Sequence, residues 1–190
     1  TNVLVVKGED HLLIDCGTLC PYALEKNYGL ELSKIDNILL THPHADHIGG
    51  VEELALVDRY VKKQKANLVI TDEFKELLWN ESLKGGLKVN EEGSLVLDDY
   101  FNQIKPELLQ TQPFQMFETN VGSINLKLFR TNHVTCQATG DFQISYGVLI
   151  DDKVLYPCDT QFNREQLEYL IGKYPVKVIR MGIKDTFGKS

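Results

Sequence analysis

The sequence predicts an α/β domain built in layers, with sheets inside and helices outside. Short apolar runs rich in β-branched residues occur towards both ends of the 190-residue chain, and segments with helical periodicity lie beside them. A chain of this length is expected to form one hydrophobic core, since domains hold roughly 100–200 residues. We therefore expect residues 1–190 to fold as a single domain.

The first half of the chain alternates strand and helix signals. Apolar runs over residues 2–6 and 11–14, separated by the turn sequence KGED, predict two short strands. Pro21 and Gly29 bound a predicted helix over residues 19–28. The other elements predicted here are a buried strand at 37–40, a helix from about 48 to 61, a strand at 68–70 and a helix at 71–79 with Thr71 as its N-cap.

The second half begins with the segment whose pattern is weakest. Glycines and prolines interrupt residues 80–117, and we expect a helical insertion there that lies near the functional site or at a dimer interface. Within it, residues 95–104 fit a helix and a strand equally. The remaining predicted elements are strands at 123–129, 142–150, 154–156 and 176–179 and a short helix at 165–171.

Charge and composition argue against several classes of protein. Lys and Arg number 20 against 27 Asp and Glu, and the net charge of −7 argues against a surface that tracks long DNA or RNA. No run approaches the ~20 apolar residues of a membrane helix. The 4 cysteines form no C-x-x-C pair, so neither a zinc ribbon nor a disulfide framework is indicated, and we expect a cytoplasmic location.

The densest cluster of chemically active side chains is His42-x-His44-x-Asp46-His47, which holds three of the 5 histidines. Imidazole and carboxylate groups are ligands suited to Zn²⁺, Mn²⁺ or iron ions. In an extended loop, the side chains of His42 and His44 point the same way and can bind one ion, while Asp46 and His47 can face a second. The glycine pair that follows would let the backbone pass close to neighbouring segments. This pattern predicts a metal site between a strand and a helix.

Two further residues are candidate ligands of the same site. His133 lies at a turn after the alternating strand at 123–129, and Asp159 follows the strand at 154–156. A lone histidine or a strand-end aspartate is usually structural, but beside the metal motif both become ligand candidates, with Asp159 bridging two ions. His11, at the start of a strand, is predicted to be structural.

These motifs resemble the metallo-β-lactamase superfamily. The resemblance is carried by T-H-P-H-A-D-H-I-G-G at 41–50, I-D-C-G at 14–17, His133 and D-T at 159–160, and it spans most of the chain. It implies the αββα sandwich of that superfamily and a two-metal hydrolase. It also implies a set of ligands: His42, His44 and His133 for the first ion, Asp46 and His47 for the second, and Asp159 as the bridge. Asp15 would support the metal loop, or else be an ordinary turn residue.

Within that superfamily, the sequence looks most like the ribonuclease Z and small phosphodiesterase branch. H-A-D-H-I-G-G and S-Y-G at 145–147 carry this similarity. L-K-G-G-L at 83–87 and D-Y-F at 99–101 look like phage-encoded cyclic-nucleotide phosphodiesterases of the anti-Pycsar type. The resemblance implies a homodimeric phosphodiesterase that cleaves a small nucleotide, with a cyclic one as the leading case.

The resemblance also implies the chemistry. Two divalent ions, Zn²⁺ or alternatively Mn²⁺, would activate a hydroxide for in-line attack on phosphorus. Asp46 would ligate the second ion and orient that hydroxide, so no Ser–His–Asp set is needed. Ser145 and Tyr146 could contact the substrate phosphate or be structural. Cationic candidates for the same contact are Arg130, Lys153 and Arg164.

Other functions stay open at this point. A tRNA 3′-end endonuclease of the ribonuclease Z type should carry a basic exosite arm, which this acidic chain does not obviously have, so RNA is the less favoured substrate. Hydrolysis of β-lactams or thioesters is a third enzymatic class. A metal-deficient chain that binds a nucleotide or a partner without turnover is the non-enzymatic alternative.

Two departures from the superfamily pattern concern the ends of the chain. The strand and glycine-rich turn that usually precede a segment like 2–6 are missing, and no histidine follows His133, whereas the family has a late metal-binding histidine. We expect the natural protein to continue beyond Ser190, so that this fold lacks its N- and C-terminal edges. The alternative is a second ion that is weakly held, bound by more water or absent.

Overall fold

The structure is a computed structural model that describes residues 2–135, 138, 140 and 143–181. It divides into two compact units: the first takes residues 1–106 and 121–123, and the second takes residues 107–120 and 124–190. Each unit is built around one main sheet. The single metallo-hydrolase domain expected over residues 1–190 stays a prediction.

The first unit contains a largely parallel sheet. In chain order its strands are β1 (Val3–Lys7), β2 (Asp10–Ile14), β3 (Asn37–Leu39), β4 (Ala66–Val69), β5 (Val89–Asn90), β6 (Gly93–Ser94) and β7 (Phe101–Ile104). The main sheet has the order β1-β2-β3-β4-β7, in which β1 and β2 form an antiparallel hairpin and the other neighbours are parallel. Adjacent residues Leu12 and Leu13 are both fully buried, so both faces of β2 are covered, as continuous apolar runs predict.

Short helices connect these strands. In chain order they are α1 (Cys20–Tyr28), a 3₁₀ turn (Leu32–Lys34), α2 (Ala45–Ile48), α3 (Val51–Leu56), a π-helical turn (Val57–Lys62), α4 (Asp72–Leu78), a π-helical turn (Trp79–Leu83), α5 (Lys84–Leu87) and α6 (Leu97–Tyr100). Gly29 ends α1 in the left-handed conformation at φ 61°, and the Thr71 hydroxyl accepts a hydrogen bond from the Phe74 N–H at 3.3 Å. Both predicted helix boundaries are confirmed.

Residues 80–117 require a correction, because they are not a helical insertion throughout. Helical turns occupy the beginning, but β5 and β6 form a hairpin and β7 pairs with β4. The ambiguous residues 95–104 contain both structures, since α6 runs directly into β7. The last part enters the second sheet as β8 (Glu107–Gln110), so this segment supplies a strand to each main sheet. Its place at the site or at a dimer interface stays a prediction.

The second unit contains a six-stranded sheet. After β8 its strands are β9 (Met116–Val121), β10 (Ile124–Arg130), β11 (Tyr146–Ile150), β12 (Val154–Cys158) and β13 (Val178–Met181), with the helix α7 (Arg164–Lys173) before the last. Their order across the sheet is β13-β12-β11-β10-β9-β8. The parallel pair β12 and β13 is joined by α7, because parallel neighbours need a crossover connection. Buried Phe129, Leu149 and Leu155 of the sheet pack with Leu170 of α7.

The described helices include none that combines the length and the apolar character needed to traverse a bilayer. The predicted strand at 142–150 is observed from Tyr146 onward; its first residue lies outside the described residues.

Candidate metal centre

The histidine motif lies at the carboxyl edge of the parallel strands in the first unit. β3 ends at Leu39, the chain continues through Thr41 in an extended loop, and α2 begins at Ala45. β2 is the parallel neighbour of β3 and ends immediately before Asp15. The register therefore brings Asp15 and Thr41 to the same edge, the edge at which ligand sites form in parallel α/β sheets.

His42 and His44 present their nitrogens to the same point. The distance from His42 Nε2 to His44 Nδ1 is 3.2 Å. Two nitrogens bound to one tetrahedral zinc ion at ~2.0–2.1 Å lie about 3.3 Å apart, so the observed spacing is that of two ligands of one ion. His42 is fully buried, which excludes bulk water from one side of the pair. The prediction that alternate residues of the loop point the same way is confirmed.

Asp15 contacts Thr41, which precedes the histidine motif, and His47, which ends it. Its Oδ1 accepts hydrogen bonds from the Thr41 N–H at 2.8 Å and the Thr41 hydroxyl at 2.9 Å, while His47 Nδ1 donates to its Oδ2 at 2.7 Å. The carboxyl is fully buried, and burial raises its pKa above the ordinary value, a shift that the bonds from His47 and Thr41 oppose. This contact is the structural basis for the expected support of the metal loop by Asp15.

The second nitrogen of each buried histidine is oriented by these contacts. His42 Nδ1 lies 3.1 Å from the Thr41 hydroxyl, and His47 Nδ1 is bound to Asp15. A hydrogen bond at Nδ1 fixes the ring and favours a lone pair on Nε2, which is how metal-binding histidines are generally positioned. His47 Nε2 lies 3.3 Å from Asp46 Oδ2, and the Asp46 side chain is 56% exposed. Asp46 and His47 thus form a second pair of donors with the spacing of two ligands.

The glycine pair permits a close approach of two backbone segments. The Cys16 N–H donates to the His47 carbonyl and the Gly50 N–H donates to the Cys16 carbonyl, both at 2.8 Å. A Cβ on Gly50 would lie 2.9 Å from Cys16 Sγ, and one on Gly49 would lie 2.2 Å from the Thr18 hydroxyl oxygen. Only glycine fits at both positions, as predicted from the sequence.

In the second unit, His133 and Asp159 lie close together. His133 Nε2 is 3.8 Å from Asp159 Oδ2, and the side chains are 7% and 8% exposed. Asp159 directly follows β12, and its carbonyl accepts a hydrogen bond from the buried Ser145 hydroxyl at 3.1 Å. Ser145 therefore has a structural contact.

The structure brings four of the six predicted ligands together in the first unit and the other two together in the second. Nitrogen and carboxylate donors at these spacings suit a divalent ion such as zinc, so the residues in each unit fit the expected metal. Thr41 is the contributor that the sequence analysis missed. A hydroxyl beside a candidate metal-ligating histidine has no spacing signal, and only the hydrogen bonds from Thr41 to Asp15 reveal its role.

The remaining candidates have structural partners. His11 Nε2 accepts a hydrogen bond from the Asp36 N–H at 2.9 Å, which confirms its predicted structural role. Tyr146 is buried in β11, and Arg130 Nη1 lies 3.5 Å from its hydroxyl. Arg164 pairs with Glu168 at 2.7 Å on the surface of α7.

Comparisons with known proteins identify a family. A family model described as anti-Pycsar protein Apyc1 matches residues 1–185. The anti-Pycsar protein Apyc1 of Bacillus phage vB_BsuM-Goe3 is 39% identical over 171 residues, which make up 87% of this chain and 62% of the relative. The chain thus spans less than two thirds of the length of this relative.

Two solved structures share the fold. The metallo-β-lactamase fold protein YhfI from Bacillus subtilis aligns with a TM-score of 0.61 at 19% identity, over 89% of this chain and 58% of that protein. The short form of human tRNase Z aligns with a TM-score of 0.53 at 16% identity, over 88% of this chain and 66% of that protein. The metallo-β-lactamase fold class expected from the sequence is confirmed.

Proposed function

Because the chain belongs to the anti-Pycsar protein Apyc1 family, we propose that it is a metal-dependent phosphodiesterase that cleaves a small, cyclic nucleotide. The observation that carries this proposal is the 3.2 Å separation of His42 Nε2 and His44 Nδ1, a spacing that suits two ligands of one divalent ion. The family resemblance supplies the substrate class, and the donor geometry supports the metal dependence.

The proposed ligand set is the one that the family resemblance implies. In this proposal His42, His44 and His133 would hold the first ion, Asp46 and His47 would hold the second, and Asp159 would be shared by both. Asp15 and Thr41 would be positioning residues, because Asp15 contacts His47 and Thr41 contacts His42. The support for this set is the convergence of donors within each unit and the match to the family motif.

Held by these residues, two divalent ions, Zn²⁺ or alternatively Mn²⁺, would supply an activated water and polarisation of the phosphoryl oxygens. Asp46 is half-exposed, so its carboxylate can reach the attacking water and orient it towards phosphorus. Water attacks in line with the leaving ribose oxygen, the cyclic P–O bond breaks, and the ribose oxygen takes up a proton. The product is a linear nucleoside monophosphate. The homodimer and the cytoplasmic location stay predictions.

The test is metal content together with hydrolysis of a substrate panel. The panel holds cyclic mononucleotides, bis-p-nitrophenyl phosphate, a pre-tRNA and nitrocefin. We expect cleavage of cyclic nucleotides that a chelator abolishes and that Zn²⁺ or Mn²⁺ restores. His42→Ala should lose both metal and turnover, whereas His11→Ala, which removes a histidine outside the motif, should keep them.

Three results would contradict the proposal. Turnover that resists the chelator would remove the metal from the chemistry. Cleavage of pre-tRNA with cyclic nucleotides intact would favour a ribonuclease Z activity. Less than one ion per chain and no turnover would favour a binding protein without catalysis.

A further inference from the structure

A cavity of about 320 Å³ lies in the second unit, between two segments that each carry a proposed metal ligand. Two segments form its wall. One contributes Asn132, which precedes His133, and the other follows Asp159 and continues into the first turn of α7. The residues of this second segment that line the cavity are Gln161, Phe162, Asn163, Arg164 and Glu165. Its volume is at the lower end of the ~300–1,000 Å³ range of small-molecule sites.

Hydrogen bonds join the two segments. The Asn132 carbonyl accepts hydrogen bonds from the Gln161 N–H at 2.6 Å and from the Thr160 hydroxyl at 3.1 Å. On the other side of Phe162, the Asn163 side chain caps α7 by accepting a hydrogen bond from the Gln166 N–H at 3.0 Å. Phe162 therefore stands between two fixed points of the backbone.

Phe162 presents an aromatic face to solvent within this wall. Its side chain is 74% exposed, although it lies three residues after Asp159. An exposed aromatic ring is by itself ordinary. Here the ring lines a cavity formed by two segments, and each segment also carries a candidate metal ligand, His133 or Asp159.

The charges of the cavity favour a neutral group over a phosphate. Arg164 is paired with Glu168 at 2.7 Å, and the Glu165 carboxylate also lines the wall, so the cavity has no net positive charge. The exposed amides of Asn132 and Gln161 offer both hydrogen-bond donors and acceptors. A flat, neutral group with donors and acceptors on its edge matches these walls.

We infer that this cavity binds the nucleobase of the substrate, with Phe162 stacking on the face of the base and the amides of Asn132 and Gln161 contacting its edge. Aromatic side chains bind bases in this way in other proteins, because every base has a π-face. This inference rests on the proposed function for the presence of a nucleotide. It adds a base-binding subsite and a residue that determines affinity for the base.

The test measures binding to the metal-loaded full chain, using cyclic nucleotides in which a phosphorothioate that resists hydrolysis replaces the phosphate. Calorimetric titrations compare cyclic purine and pyrimidine mononucleotides with ribose 5-phosphate, which has sugar and phosphate but no base. We expect Phe162→Ala to weaken binding of the nucleotides by about 5- to 150-fold and to leave ribose 5-phosphate unchanged. Phe162→Trp should retain nucleotide affinity, and Ile171→Ala, an exposed apolar residue later on α7, should change nothing.

Each outcome separates this inference from the proposed function. Unchanged nucleotide affinity in Phe162→Ala overturns the inference, and so does an equal loss for ribose 5-phosphate, which would point to a distorted loop. Binding that depends on Phe162 in a wild-type chain that hydrolyses no cyclic nucleotide supports the base subsite and overturns the phosphodiesterase. If no nucleotide binds, both are overturned.

Discussion

His47 Nδ1 donates a hydrogen bond to Asp15 Oδ2 over 2.7 Å, and both side chains are fully buried. The same carboxylate accepts the N–H and the hydroxyl of Thr41. One buried side chain thus connects the strand that precedes it with Thr41, just before the histidine motif, and with His47, the last residue of that motif. Its importance can be measured without any assumption about substrate.

Asp15→Asn should weaken metal binding by about 10- to 100-fold, the usual cost of losing the partner of a metal-binding histidine. The amide has one acceptor oxygen in place of two, so it cannot hold Thr41 and His47 together. A competition titration against a chelator of known affinity measures the change. Asp10→Asn is the control, since Asp10 lies on β2, the strand that precedes Asp15, and contacts Ser123 at the surface. Unchanged metal affinity in Asp15→Asn would show that the histidines keep their positions unaided.

Gly50→Ala should destabilise the fold by about 1–3 kcal/mol, because the added methyl group meets Cys16 Sγ and the Gly17 carbonyl, each at 2.9 Å. Urea denaturation measures the free energy of unfolding. Gly172→Ala is the matched control: it lies in α7 with open space around it, and it should gain about 0.5–1 kcal/mol from helix propensity. Equal stability of Gly50→Ala and the wild type would mean that the segment at 14–17 can move away at no cost.

Asp58 should make the stability of the fold fall as the pH rises through mildly acidic values. Burial raises the pKa of this carboxyl from 3.8 to about 6, although Lys62 Nζ lies 3.6 Å away. The folded state binds the proton more tightly than the unfolded chain does. The stabilisation from this proton is therefore complete at pH values below the pKa of the unfolded state, and it is lost as the pH rises through the pKa of the folded state. Asp58→Asn should therefore gain up to about 3 kcal/mol relative to the wild type between these limits.

Thermal or urea unfolding of both proteins across this pH range measures the difference. Glu91→Gln, at an exposed position, is the control for exchanging a carboxylate for an amide. A difference between Asp58→Asn and the wild type that is constant with pH would contradict the raised pKa and would indicate a packing effect instead.

Lys127→Met should destabilise the fold by about 1–3 kcal/mol at neutral pH. This loss is smaller than the loss expected on breaking a fully buried ion pair, because the acidic partners of Lys127 are partly exposed. Lys127 Nζ lies 2.7 Å from Asp152 Oδ1 and 2.9 Å from Glu118 Oε1. The hydrogen bond from Lys127 lowers the pKa of Glu118 below 4.5, so this stabilisation is present above that value and is lost as the pH falls. The loss of stability in Lys127→Met should become smaller at acidic pH, whereas Lys153→Met, at an exposed position, should lose no stability.

Local signals account for the elements that were predicted correctly. Gly29 and Thr71 each act through their own backbone neighbours, so a window of a few residues contains the whole cause of the helix end or start. β7 behaves differently, because residues 101–104 become a strand through parallel pairing with β4, about 35 residues earlier in the chain. No pattern within residues 95–104 indicates the pairing with β4.

A tertiary contact also explains why the helix predicted from about residue 48 to residue 61 begins later than expected. Its periodicity is real, but the Gly50 N–H is bound to the Cys16 carbonyl, and α3 begins only at Val51. In the site, the four donors between His42 and His47 were predictable because they lie within one short segment of the sequence. Thr41 was not, since its role depends on the register that sets β2 beside β3.

The attachment of Thr41 and His47 to a single carboxylate also constrains how this segment can evolve. The side chain of exposed Ala45 lies between the two attachments, so many substitutions there should leave the segment intact. A residue inserted or deleted between positions 41 and 47 would instead pull one end away from Asp15. Variation in this part of the protein is therefore expected in the identity of residues and not in their number.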